Sequence, residues 1–115
     1  MLSCEIPDDQ WICFFDQFSR DHVGWPVTIE LLSREIGPQR IAKELPLQGI
    51  SFDPCGSRPC TVQVGAGDRP DANLSHTIDL PLHLRLAESE AGDAGTIEIE
   101  PARGPHTLIH FHRPA

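Results

Sequence analysis

The spacing of apolar residues changes once along this chain, within residues 18–32. Before this stretch, aromatic residues recur at the spacing of one helix face: Trp11, Phe14, Phe15 and Phe18. After it, alternate residues are apolar, beginning with Val27 and Ile29. A period of about 3.6 is typical of a helix and a period of two is typical of a strand. The sequence therefore predicts that a helix ends here and that a strand begins.

Strand spacing persists beyond residue 25 in short segments separated by turn-forming residues. The longest runs over residues 76–86, where alternate residues share an apolar face: Ile78, Leu80, Leu82, Leu84 and Leu86. A length of 115 residues fits one domain. We predict an α+β, mainly β fold over residues 1–115. In it, an amphipathic N-terminal helix (about residues 8–20) packs on a six- to seven-stranded antiparallel bent sheet or small barrel (about residues 25–113).

The charge balance excludes several classes of partner. Seventeen acidic and nine basic side chains give a net charge of −8, which repels nucleic acid and anionic membranes. No apolar run is long enough to span a bilayer, and the N-terminus lacks the basic start and apolar run of a secretory signal. We therefore expect a cytoplasmic protein. The Gly65-x-Gly67 pair lacks the lysine and the helix that follow in a phosphate loop, and we expect no cofactor.

Four cysteines, at positions 4, 13, 55 and 60, are expected to be free thiols in a reducing compartment. Cys13 lies within the predicted helix, where we expect it to pack as a small apolar residue. Cys55 and Cys60 bracket a turn-like segment, so a disulfide between them is an alternative. A zinc site would need a second pair of ligands.

Several segments resemble a family of small bacterial proteins catalogued only as a domain of unknown function. The first is the run Trp11-x-x-Phe14-x-x-x-Phe18-Ser-Arg-Asp-His-x-Gly-Trp-x-Val-Thr-Ile-Glu. Four later segments are similar too: Leu45-Pro-Leu-Gln-Gly-Ile, His76-Thr-Ile-Asp-x-Pro, Ile97-Glu-Ile-Glu and Thr107-Leu-Ile-His-Phe. The resemblance covers about residues 11–114 and implies a free-standing bacterial domain. It implies no activity, ligand or catalytic residue.

His110 and His112 lie two residues apart on a predicted strand, so both side chains leave the same face and are close enough to chelate one metal ion. His83, Asp79 or Glu98 would supply the third ligand if their strands were neighbours. The competing interpretation is a solvated pair at a strand end.

Two other groups of residues have the chemistry of catalytic sites. Ser19, Asp21 and His22 are the residue types of a hydrolytic triad, but at a helix end they also serve as ordinary capping groups. Three carboxylates, Asp79, Glu98 and Glu100, would lie on one face of adjacent strands. We interpret them as part of the solvent-exposed face of a sheet, where they pair with Arg85 or Arg103. We assign no catalytic residue.

Three functional hypotheses follow. The first is a non-catalytic binding or protein-interaction module of the bacterial cytoplasm, either a homo-oligomer through a strand edge or the helix face, or a binder of another protein. Trp25, Leu32, Leu108 and the helix face are its candidate surfaces. The second is a small metal-binding or sensor protein using His110 and His112. The third is an enzyme with a site at one barrel mouth.

Overall fold

One helix and eight strands build the fold in the computed structural model, which describes residues 2–53, 60–69 and 72–114. A 3-10 turn at Asp8–Gln10 leads into the helix. The elements in chain order are β1 (Leu2–Glu5), α1 (Trp11–His22), β2 (Pro26–Ser33), β3 (Gly37–Asp53), β4 (Thr61–Arg69), β5 (Ala72–Asp79), β6 (Pro81–Glu88), β7 (Ala94–Pro101) and β8 (His106–His112).

The strands form one antiparallel sheet in the order β1-β6-β7-β8-β2-β3-β4-β5. This confirms the mainly β fold with an N-terminal helix. The barrel alternative is wrong, because β1 and β5 end the sheet and, in the described part of the chain, do not pair with each other. The sheet is open between β5 and β6: Leu80, with a φ of 53°, connects these two strands, and β6 pairs with β1 instead of β5.

β3 is a strand of 17 residues that runs through Pro46 without a break. Its first part pairs with β2, and from Leu47 onward it pairs with β4. Register shifts accompany both pairings, and Glu44 within the strand has a φ of 53°. One long strand therefore carries the sheet around a bend, as irregularities of this kind do.

The helix packs against the buried face of the sheet. Trp11, Phe15 and Phe18, spaced at i, i+4 and i+7, are buried. The ring of Trp11 meets Phe52 edge-on, with 5.1 Å between centroids, and its Nε1–H donates to the carbonyl of Ile6 at 2.9 Å. The helix ends at His22, two residues beyond the predicted end.

Cys13 is exposed, and the prediction that it packs as a small apolar residue is wrong. It lies about 200° around the helix from Trp11, on the side opposite the buried aromatic rings. Cys4 is also an exposed free thiol. The alternative of a Cys55–Cys60 disulfide falls on Cys55, which lies outside the described residues.

The apolar run at residues 76–86 does not form one buried stripe. Ile78 and Leu84 are buried, whereas Leu80 and Leu82 are 46% and 56% exposed. The turn at Leu80 and a register shift between Pro81 and His83 reverse which side chains face the core. The single strand predicted here is therefore two strands.

Candidate functional site

The outer face, defined as the side of β1, β6, β7, β8, β2 and the first part of β3 that points away from the core, carries an ordered row of side chains. Cross-strand pairing aligns one residue from each of five strands: Arg85, Glu98, Leu108, Glu30 and Arg40. Leu108 thus lies between two carboxylates, each of which has an arginine on its far side. The apolar candidate Leu108 is the centre of a charged surface.

β8 lines this face with histidines on either side of Leu108. His106, His110 and His112 share its outward side, while Thr107, Ile109 and Phe111 are buried on the other side. Each histidine contacts a glutamate from another segment: Glu98, Glu30 and Glu44, respectively. His83 on β6 makes a fourth such pair, 3.1 Å from Glu5.

His106 is the last of three residues that are connected in series by side-chain contacts. Its Nδ1 lies 2.8 Å from Oε2 of Glu98, whose Oε1 lies 3.3 Å from Nη1 of Arg85. Because an ionised carboxylate only accepts hydrogen bonds, Nδ1 must carry the proton, which leaves Nε2 of a neutral ring as an acceptor. Glu98 therefore fixes the tautomer of His106, as carboxylates do for functional histidines.

The carboxylates of β7 pair with Arg85, as expected. Nη1 of Arg85 also lies 3.0 Å from Oε1 of Glu100. Hydrogen bonding between the two side chains raises the pKa of Arg85 and lowers the pKa of Glu100. Asp79 is not part of this group, because its strand β5 lies at the far end of the sheet.

His110 and His112 do share a face, but their ring nitrogens are engaged. Nδ1 and Nε2 of His110 lie 2.8 Å and 2.7 Å from Thr96 Oγ1 and Glu30 Oε1. Nε2 of His112 lies 2.9 Å from Glu44, and this hydrogen bond raises the pKa of His112. A metal ion at this pair would have to displace those partners.

His83 is not a third ligand for this pair. It lies opposite Glu100, whereas His110 lies opposite Thr96, four residues along β7, which is about 13 Å. Among residues 2–53, 60–69 and 72–114, no group of three or more His, Cys, Asp or Glu side chains is arranged to hold a metal ion. The metal-binding hypothesis therefore gains no support from the geometry.

Trp25 is separated from the other candidate binding residues by the sheet. It packs with His22 and with the buried ring of Phe111 on the helix side, and Arg113 lies over its ring at 5.9 Å. The structure therefore does not bring Trp25 together with Leu108.

Ser19, Asp21 and His22 do not assemble as a triad. Ser19 Oγ bonds to the backbone of Ile50, Asp21 accepts hydrogen bonds from Gln17, and Nδ1 of His22 lies 2.9 Å from the carbonyl of Phe18. Each group has a structural partner, but only His22 contacts a carbonyl of the last helical turn, so the capping interpretation holds for His22 alone.

Two clefts open at the end of the sheet where β2 and β7 finish. The larger, the turn cleft, has a volume of about 730 Å³ and lies between the β2–β3 and β7–β8 turns, with Leu32, Arg34, Glu35, Pro105 and His106 in its wall. The smaller, of about 160 Å³, is bordered by four consecutive β5 residues, 76–79, and by Thr107.

His106 is the site residue that sequence reasoning missed. The signal was present, because residues 106, 108, 110 and 112 continue one alternation. His76, at the start of the apolar run over residues 76–86, has no role predicted from the sequence. It faces inward from β5, with Nε2 3.3 Å from the buried hydroxyl of Thr107, and burial lowers its pKa.

Comparison with known proteins identifies a family but assigns no activity. A model described as a family of unknown function (DUF5335) matches residues 3–115. An uncharacterised protein of Aquifex aeolicus (strain VF5) is 27% identical over 111 residues, which covers 96% of this chain and 93% of that protein. No solved structure matches. In the described residues, no helix is long and apolar enough to cross a membrane.

Proposed function

Since the chain belongs to DUF5335, a family of unknown function, we propose from its geometry that it is a non-catalytic protein-interaction module that pairs with a second copy of itself through β5. The bacterial relative and the absence of any helix able to cross a membrane in the described residues support placing it in the bacterial cytoplasm.

The observation that carries this proposal is the length and composition of the edge strand β5. β5 has eight residues and occupies the last position in the strand order, paired with β4 on one side. An edge strand presents unpaired N–H and C=O groups, which proteins usually shield with lysines, prolines, bulges or short strands. Residues 72–78 contain no proline and no lysine, arginine or carboxylate. By comparison, β1 at the opposite edge has only four residues.

The charge distribution favours a second copy at this edge. Two chains of charge −8 repel each other over most of their surfaces. Along β5 the outward side chains Asn73, Ser75 and Thr77 are small and neutral. An antiparallel pairing centred on Ser75 places Asn73 opposite Thr77 and serine opposite serine, and such polar cross-strand pairs are favourable. Asp79 then lies beyond the paired segment.

Strand addition of this kind buries little surface, so we expect a reversible dimer with a dissociation constant in the micromolar range. Added salt should strengthen the dimer, because it screens the repulsion between the two acidic chains. This salt response separates edge pairing from association through opposite charges, which salt weakens.

Sedimentation velocity across a range of protein concentrations and at two salt concentrations tests the proposal. Ser75→Lys introduces a charge at the edge and should leave a monomer. Ser51→Lys is the matched control: Ser51 is also exposed, on β3, which β4 separates from β5, and this variant should dimerise like the parent. A parent that stays monomeric at millimolar concentration, or a dimer that Ser75→Lys leaves intact, would overturn the proposal.

A further inference from the structure

The turn cleft combines three chemically different groups that no established role explains. Leu32, which is 40% exposed, and Pro105 form an apolar wall. Arg34 supplies a guanidinium, and within the described residues no ion pair involves it. His106 supplies the ring nitrogen Nε2, and its contact with Glu98 fixes the tautomer of the ring. A cleft of this size with an apolar wall and a few polar groups is typical of a small-molecule site.

Each group selects one feature of a ligand. A guanidinium pairs best with a carboxylate. In the neutral form of the His106 ring, Nε2 is an acceptor, because Nδ1–H is donated to Glu98, so Nε2 favours a ligand with an N–H or O–H donor. Exposed Leu32 and Pro105 favour an apolar group. Glu35, which also borders the cleft, disfavours ligands with more than one negative charge.

We propose that the turn cleft binds a monocarboxylate that carries an apolar side group and a neighbouring hydrogen-bond donor, as an N-acylated leucine does. Arg34 holds the carboxylate, Nε2 of His106 accepts the N–H, and the side group lies on Leu32 and Pro105. Arg85 and Glu98 act as positioning residues through His106. No residue of β5 lines the turn cleft, and the variants used to test it differ from those used to test self-association.

Three probes separate these features: N-acetyl-leucine, its neutral amide, and 4-methylpentanoate, which has the carboxylate and the apolar group but no N–H. Titration calorimetry should give the tightest binding for N-acetyl-leucine. The amide should bind about tenfold more weakly, because it lacks the charge-assisted pair. The 4-methylpentanoate should bind about three- to tenfold more weakly, because it leaves His106 without a donor.

Two variants assign these preferences to residues. Arg34→Gln should abolish the preference for the acid over its amide and keep the preference for the N–H. His106→Phe should do the reverse, since the phenyl ring preserves the shape without the acceptor. Arg20→Gln is the control: Arg20 is an exposed arginine on α1, and its loss should change neither preference.

The acetylated tripeptide Ala-Ala-Leu, with a free carboxyl end, distinguishes the two sources of this chemistry. Tighter binding than N-acetyl-leucine assigns the cleft to peptide carboxyl ends, and equal binding assigns it to small acylated acids. The proposal is overturned if no probe binds at millimolar concentration, if acid and amide bind alike, or if either preference survives loss of its assigned residue in a folded variant.

Discussion

The hydroxyl of Ser19 makes two hydrogen bonds with the backbone of Ile50: it donates to the carbonyl at 3.0 Å and accepts from the N–H at 2.9 Å. Ile50 lies in the second part of β3, which pairs with β4 on one side. On the other side, β2 pairs only with the part of β3 that ends at Pro46. Ser19 therefore takes the place of a neighbouring strand and fixes the helix to the sheet.

Ser19→Ala should lower the free energy of unfolding by about 1–3 kcal/mol, because it leaves a backbone donor and acceptor without partners in a half-buried position. Urea denaturation followed by tryptophan fluorescence measures the change. Ser51→Ala, at an exposed position on the same strand, should stay within about 0.5 kcal/mol of the parent. Equal effects of the two substitutions would contradict this role for Ser19.

Gly95 should not tolerate a side chain. A Cβ at this position would lie 2.5 Å from the carbonyl oxygen of Ala87 and 2.7 Å from Cζ of Phe111. We expect Gly95→Ala to destabilise the protein by about 1–3 kcal/mol or more, because the β6–β7 backbone would have to shift. Gly49→Ala is the control, since its Cβ would meet Ser19 at an ordinary 3.8 Å. Thermal melts of both variants decide the question, and similar melting temperatures would refute the expectation.

Trp11 should be the most costly residue of the helix to truncate. It is 3% exposed, packs edge-on against Phe52 and donates a hydrogen bond to Ile6. Trp11→Ala should cost about 3–5 kcal/mol, a large part of the stability of a domain this size. Ile12→Ala, at a 56% exposed neighbour, should cost less than about 1 kcal/mol. Unfolding measured by circular dichroism avoids relying on the fluorescence of the ring that is removed.

The sequence was sufficient for features that depend on local periodicity. The helix follows from the spacing of Trp11, Phe15 and Phe18, whose burial confirms the predicted face. The outward alternation of Leu108, His110 and His112 follows in the same way from the period of a strand. Both signals come from residues within a few positions of one another, where spacing alone fixes the side on which a residue lies.

Features that depend on strand order could not be predicted. The contact between Glu98 and His106 needs β7 and β8 to be neighbours in one register, and the contact between Glu30 and His110 joins residues 80 positions apart. The sheet is open between β5 and β6, where Leu80 has a positive φ that no sequence pattern marks. The turn cleft lies between two turns that strand pairing brings together, so the residues that line it could not be predicted either.

The hydrogen bond between His112 and Glu44 should stabilise the fold on the acidic side of neutrality. Because Glu44 raises the pKa of His112 above 6.5, the folded protein holds this proton more tightly than the unfolded chain. The contribution is complete below pH 6.5 and is lost as the pH rises through the raised pKa. Glu44→Gln should return the pKa towards 6.5 in an NMR titration of the ring. Glu35→Gln, which removes an exposed turn carboxylate, should leave it unchanged.

His76 should act in the opposite direction. Burial beside Thr107 lowers its pKa below 6.5, so the unfolded chain takes up this proton more readily than the folded protein. The free energy of unfolding therefore keeps its full value above pH 6.5 with respect to this group, and it decreases as the pH falls from 6.5 through the lowered pKa. His76→Phe keeps a ring of similar size without the titrating group. The unfolding free energy of this variant should therefore fall less than that of the parent between pH 6.5 and the lowered pKa.

Urea denaturation at a series of pH values tests this prediction, with His83→Phe as the control at an exposed histidine on the outer face. An identical pH dependence for His76→Phe and the parent would show that His76 is not the group responsible, whereas a shallower loss confined to His76→Phe would assign it to the inward side of β5.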